Sequence, residues 1–123
     1  MRIARTYRFS AAHRLPHTPP EHKCHHMHGH TYEVQLTLTG PVDPTTGWVL
    51  DFGVMDIAWD AIAGHLDHTT LNDHEGLENP TSEVLCLWLW ARLDTYFGGL
   101  NAAEIYEIAV SETAGRSWAT LGR

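Results

Sequence analysis

The chain has 123 residues, enough for one domain that buries roughly two-thirds of its unfolded surface. Its 43% hydrophobic and 19% charged content exclude a disordered chain, and a formal charge of −7 offers no broad basic field for nucleic acid. Two cysteines make no disulfide framework, no apolar run approaches a membrane span, and residues 1–12 alternate apolar and polar, unlike a secretory leader. A reducing cytoplasm is therefore the expected compartment.

In chain order, Ile3 to His13 reads as a strand, with Tyr7, Phe9, Ala11 and His13 on one face and Arg8 and Ser10 on the other. Pro16, Pro19 and Pro20 break that pattern, so residues 14–23 are expected to be loop. Thr31 to Thr39 is the clearest strand, Tyr32, Val34, Leu36 and Leu38 alternating with Glu33, Gln35, Thr37 and Thr39. Gly40 to Gly47 forms a turn, and Trp48 to Leu50 a short extended piece. Asp51 caps a helix running to about Leu66, in which Val54, Ile57, Ala58, Ala61 and Ile62 recur at the helical period. Residues 67–78 read as polar loop.

Asn79-Pro80 opens a second helix with Pro80 in its first turn; it runs to about Phe97, is apolar nearly all round, and is ended by Gly98-Gly99. Ile105 to Glu112 and Ser117 to Leu121 supply two more strands. The order ββααββ predicts an α+β fold, an antiparallel sheet with two helices on one face. Strand parity then places His13 with Tyr7 and Phe9, His28 and His30 with Tyr32 and Val34, and Glu112 with Tyr106, Ile108 and Val110. Each of these polar residues ends an apolar face, where charge is costly without a partner. Gly29 is the expected place for a bulge that would spoil the parity.

The segment Cys24-His25-His26-Met27-His28-Gly29-His30 carries the chemistry. His28 and His30 project from one strand face, and His13 from a neighbouring strand makes a third imidazole. Three neutral nitrogens suit zinc and leave a coordination position open. Cys24 is then free to act as base or nucleophile; the alternatives are a fourth, site-closing ligand or a buried small hydrophobe. His17, His22, His25, His26 and His74 read as loop residues, with His25 and His26 able to orient ligands from behind. Cys86 reads as core.

Asp67-His68 sets an acid beside an imidazole, as a proton relay needs, although a helix C-terminal turn explains it equally well. Glu112, if buried, needs donors, and a heterocycle with an N–H beside an amino group has two; the alternative is an exposed strand-end glutamate. Arg2, Arg5, Arg8, Arg14 and Lys23 cluster early and could attract an anionic small molecule, or be ordinary solvated strand-edge charge.

Several segments together resemble the 6-pyruvoyltetrahydropterin synthase family: Phe9-Ser10-Ala11-Ala12-His13, the Cys-x-x-x-His-Gly-His of residues 24–30, Val42-Asp43-Pro44, and Gly47 to Phe52. So do Leu66-Asp67-His68, Leu71-Asn72-Asp73, Leu77 to Glu83 and Ser111-Glu112-Thr113, so the likeness spans nearly the whole chain. Three residues between Cys24 and His28 are similar to the bacterial 6-carboxytetrahydropterin synthase branch of the queuosine pathway. The resemblance implies the tunnelling fold, in which small subunits associate into barrels, usually as a dimer of trimers (a homo-hexamer), with active sites between subunits. It implies zinc on His13, His28 and His30, Cys24 as proton acceptor, and Asp67 and His68 as relay. Glu112 would anchor the pterin and be counted with the catalytic residues, with Thr113 and Lys23 as substrate contacts.

The implied reaction converts 7,8-dihydroneopterin triphosphate to 6-carboxy-5,6,7,8-tetrahydropterin, acetaldehyde and triphosphate. Alternatives are a 6-pyruvoyltetrahydropterin synthase, a retro-aldol activity giving a hydroxymethyl pterin, or a zinc- and pterin-binding module without turnover. After Thr113 the tail Ala114-Gly115-Arg116-Ser117-Trp118 lacks cysteines that some relatives carry.

Overall fold

The computed structural model describes residues 1–97, 103–113 and 115–123. The expected Gly98-Gly99 helix stop, and Ala114 in the tail, lie outside the described residues. Strand β1 (Arg2–His13) pairs antiparallel with β2 (His28–Thr39) in unbroken register from Arg2↔Thr39 to His13↔His28. Ala12 stands opposite Gly29, so the bulge expected at that glycine does not occur.

Alternation places Tyr32, Val34, Leu36 and Leu38 on one face of β2, where all four are fully buried. Each contributes about 1.5–3 kcal/mol relative to an exposed side chain. β2 also pairs with β4 (Glu104–Ser111), which pairs with β5 (Ala119–Gly122). The register of β2 against β4 slips between Thr37 and Leu38, leaving Tyr106 as the extra residue. Parity therefore changes there: Ile105 and Ile108 are both fully buried, while Tyr106 lies half-buried under the Arg2 guanidinium at 3.7 Å. Tyr106 thus does not share the face of Ile108 and Val110 as simple alternation requires.

The sheet is mixed, not wholly antiparallel. A two-residue strand β3 (Thr69–Thr70) joins it parallel to β1 at Ala11 and Ala12, giving the order β3-β1-β2-β4-β5. Two threonines are too few to show alternation, so the segment reads as loop in sequence. Trp48 to Leu50 forms no strand. The Asp43 carboxylate accepts the Thr45 and Thr46 N–H groups and folds the loop into a turn that drives Val49 and Leu50 into the core.

Helix α1 (Phe52–Leu66) starts where Asp51 accepts the Gly53 N–H at 2.8 Å. It buries Met55, Ala58, Trp59, Ile62 and Leu66, and Trp59 stacks on Tyr7 with ring centroids 4.9 Å apart. Helix α2 (Ser82–Phe97) begins two residues beyond Pro80, because the Thr81 hydroxyl caps it by accepting the Val84 N–H. Its apolar character is not all interior, since Leu87 is 60% exposed. No helix among the described residues is long and apolar enough to cross a membrane.

Gly76, in the connection to α2, has φ +88°, and a Cβ there would lie 3.1 Å from Trp88 Cδ1. Trp88 cannot yield easily, since it donates to the Glu75 carbonyl and carries the Arg92 guanidinium at 3.6 Å. Gly76→Ala is therefore expected to cost about 1–3 kcal/mol, read as a lower urea midpoint at unchanged m-value.

Candidate metal centre

The in-register ends of β1 and β2 build the site. His13 faces His28 across the pair and His30 lies two residues on, so three imidazoles continue the face of Phe9 and Tyr32. One nitrogen from each can be chosen so that all three lie within 4.8 Å of one another, and this is the metal-capable group found among the described residues. His13 Nε2 and His28 Nε2 are 3.1 Å apart. Two nitrogens bound at about 2.0–2.1 Å to a tetrahedral ion sit roughly 3.3 Å apart, close to that spacing.

Proton positions follow from the backbone. His13 Nδ1 lies 2.9 Å from the Pro80 carbonyl and His28 Nδ1 2.7 Å from the His26 carbonyl. A carbonyl only accepts, so both Nδ1 atoms carry the proton and both Nε2 lone pairs face inward. His30 Nε2 is buried with no hydrogen-bond partner among the described residues. Burial is the largest influence on His13 and on His30 and lowers the pKa of each, opposing the imidazolium form. Neutral rings with inward lone pairs, one of them orphaned, fit a divalent cation.

Cys24 sits on a single 3-10 turn, Lys23–His25, as a free, half-buried thiol outside the converging set. Lys23 is exposed beside it. Glu112 follows β4 directly, and its Oε2 is 3.7 Å from His13 Nε2, beside the converging rings. Thr113 is exposed next to it. Of the early basic residues, Arg5 pairs with Asp56 and Arg8 with Glu33, and Arg2 stacks on Tyr106, all ordinary structural roles.

Asp67 and His68 lie elsewhere. They clip onto the edge of β1: Ser10 N–H donates to Asp67 Oδ1 at 2.8 Å, and His68 N–H donates to the Ser10 carbonyl at 2.6 Å. Asp67 Oδ2 meets His68 Nδ1 at 2.9 Å. His68 adopts φ +60°, uncommon outside glycine, and its ring is exposed. It lines a groove of about 560 Å³ with Ser10, Ala12, Gly29 and Thr31, residues of opposite strand parity to the three converging histidines, although Ala11 and His30 also border it. Among the described residues no hydrogen bond or ion pair joins Asp67 or His68 to Cys24.

The Ser10 N–H, and after it His68, hold the Asp67 carboxyl below its usual range. A carboxylate with a depressed folded pKa stabilises the fold above the unfolded value and loses that contribution as pH falls through the folded one. The stability gap between the native chain and Asp67→Asn should thus shrink as pH drops below about 4, a trend that melting temperatures of the two proteins would follow.

The Pro80 and His26 carbonyls fix two ring tautomers: His26, expected from sequence to orient a ligand from behind, does so through its backbone, not its imidazole, whereas the part of Pro80 was not foreseen. Tyr32, fully buried, has a hydroxyl with no partner among the described residues, and burial followed by the Glu112 charge raises its pKa well above the ordinary phenol range. Its position two residues after His30 on the same face was the available signal.

Comparison with known proteins identifies the family. The family described as 6-pyruvoyl tetrahydropterin synthase matches residues 2–123. A 6-carboxy-5,6,7,8-tetrahydropterin synthase of Synechocystis sp. is 38% identical over 115 residues, covering 89% of this chain and 88% of that one. One from Bacillus subtilis is 32% identical, covering 85% and 73%. The 6-pyruvoyl tetrahydropterin synthase structure of Caenorhabditis elegans superposes with a TM-score of 0.86 at 27% identity, over 100% of this chain and 95% of that one. With a family match along nearly its full length and the corresponding fold, the chain belongs to the 6-pyruvoyl tetrahydropterin synthase family.

Proposed function

We propose that this protein is a zinc-dependent lyase that converts 7,8-dihydroneopterin triphosphate to 6-carboxy-5,6,7,8-tetrahydropterin, acetaldehyde and triphosphate, in a queuosine or related 7-deazapurine route. The observation that carries the reading is the convergence of His13, His28 and His30, two of them with Nδ1 turned to a backbone carbonyl and the third with an orphaned Nε2. Zinc held there supplies Lewis acidity to the oxygens of the substrate side chain.

Cys24 accepts and returns protons at the side-chain carbons, and His68, oriented by Asp67, handles a proton at a side-chain hydroxyl. Glu112 accepts from the ring N–H and amino group of the pterin beside the metal, with Thr113 and Lys23 as further substrate contacts. Among the described residues of one chain no hydrogen bond or ion pair links the Asp67–His68 pair to Cys24, which favours a site completed by a second subunit. Among the described residues most of the outer edge of β1 has no strand partner, since β3 covers Ala11 and Ala12 alone, and this supports a homo-oligomer, a hexamer built as a dimer of trimers.

Mass spectrometry of products from dihydroneopterin triphosphate tests the reading. Acetaldehyde with a 6-carboxy pterin is expected. Triphosphate release with a 6-pyruvoyl product and no acetaldehyde would establish the second reading, which the likeness to the nematode structure favours. A hydroxymethyl pterin would mean retro-aldol cleavage, and intact substrate a binding module.

A further inference from the structure

We propose that His22 is a positioning residue for Cys24, its imidazole serving as the acceptor cap that fixes the thiol-bearing turn. His22 is the residue before the Lys23–His25 turn, in extended conformation (φ −72°, ψ 136°), and its Nδ1 accepts the Cys24 N–H at 3.0 Å. The other backbone group of Cys24 is also held, its carbonyl accepting the Leu15 N–H at 2.7 Å. Leu15 lies two residues past His13, so this pair of bonds references the thiol to the end of the strand that carries a metal-facing ring.

A turn of three residues closes only one bond of its own, from the His25 N–H to the His22 carbonyl. Such a turn depends on its cap. His22 also differs in kind from the rings of the metal centre. Those at 13 and 28 direct Nδ1–H to carbonyls and offer Nε2, whereas His22 uses its Nδ1 lone pair on an amide and keeps the proton on Nε2. It is thereby committed to the chain and not to an ion. Within the side chain, Nδ1 hangs from Cγ as Oδ1 does in asparagine, a strong natural cap, so asparagine can replace the acceptor without the ring.

This inference rests on the reading of Cys24 as the proton acceptor, and the test separates the two. His22→Ala, His22→Asn and Cys24→Ala are compared as metal-loaded full-length proteins, for turnover, metal content and alkylation of Cys24 by iodoacetamide. Cys86, buried with its thiol pushed up to about 11, is the slow internal reference.

His22→Ala should lower kcat by roughly tenfold to a hundredfold, with KM within about threefold, unchanged metal content and severalfold faster alkylation of Cys24. His22→Asn should restore both kcat and alkylation to within about threefold of the native values. Failure of asparagine to rescue, or native kcat and alkylation in His22→Ala, would overturn the proposal. If Cys24→Ala keeps full turnover, the catalytic reading of the thiol fails; an alkylation change rescued by asparagine would then still support His22 as the anchor of the turn.

Discussion

Replacing His13 by alanine is expected to strip the centre of its metal and to weaken the fold as well. His13 is fully buried, and its two ring nitrogens do different work: Nδ1 holds the Pro80 carbonyl, and Nε2 faces His28. The substitution removes one of the three imidazoles proposed to hold the metal. Metal affinity should fall by more than about a hundredfold, the loss that deletion of an outer partner alone can produce. It also leaves the Pro80 carbonyl without its donor in the interior, a penalty of about 1–3 kcal/mol before any cavity is counted. Elemental analysis and urea unfolding read the two effects separately. His28→Ala should match the first and show less of the second, because its partner is the carbonyl of exposed His26. A His13→Ala protein that keeps a full equivalent of metal would show that these rings are not its ligands.

The second large effect is expected at Cys24. Changing it to alanine should lower turnover by about 10²- to 10⁴-fold, the range associated with loss of a positioned acid or base. Metal content should not move, because the thiol lies outside the converging nitrogens. Stability should hardly change either, as the residue is half-buried on a short surface turn. Metal lost in parallel with activity would instead make the sulfur a ligand, and full activity would remove the thiol from the chemistry.

The parts of the fold legible in sequence were those with a long, uninterrupted period. β2 shows its alternation over its apolar length, and the Asp51 cap marks the start of α1 to the residue. Pairing of His13 with the His28–His30 step was accessible for the same reason, since period two places both on the apolar face. The misreadings came from interactions that local pattern does not encode. Pro80 looks like a first-turn residue, yet Thr81 is the cap and the proline carbonyl serves His13. The slip that sets Tyr106 aside depends on how β4 meets β2, and nothing in its own residues announces it. β3 exists only because the chain leaving α1 runs beside the end of β1. Asp67 and His68 were identifiable as a pair, but their position at the edge of β1 was not, since it follows from their bonds to the Ser10 main chain.

The braces behind His13 and His28 are peptide oxygens, those of Pro80 and His26. A main-chain carbonyl survives almost any point substitution of the residue that bears it, so ring orientation is insulated from sequence drift and answers only to the path of the backbone. Cys24 and the Asp67–His68 pair have no such insurance, being ordinary side chains on short connections. One cradle of this kind can therefore persist unchanged while the groups proposed to react around it are exchanged, a division that would let a single scaffold diversify its chemistry.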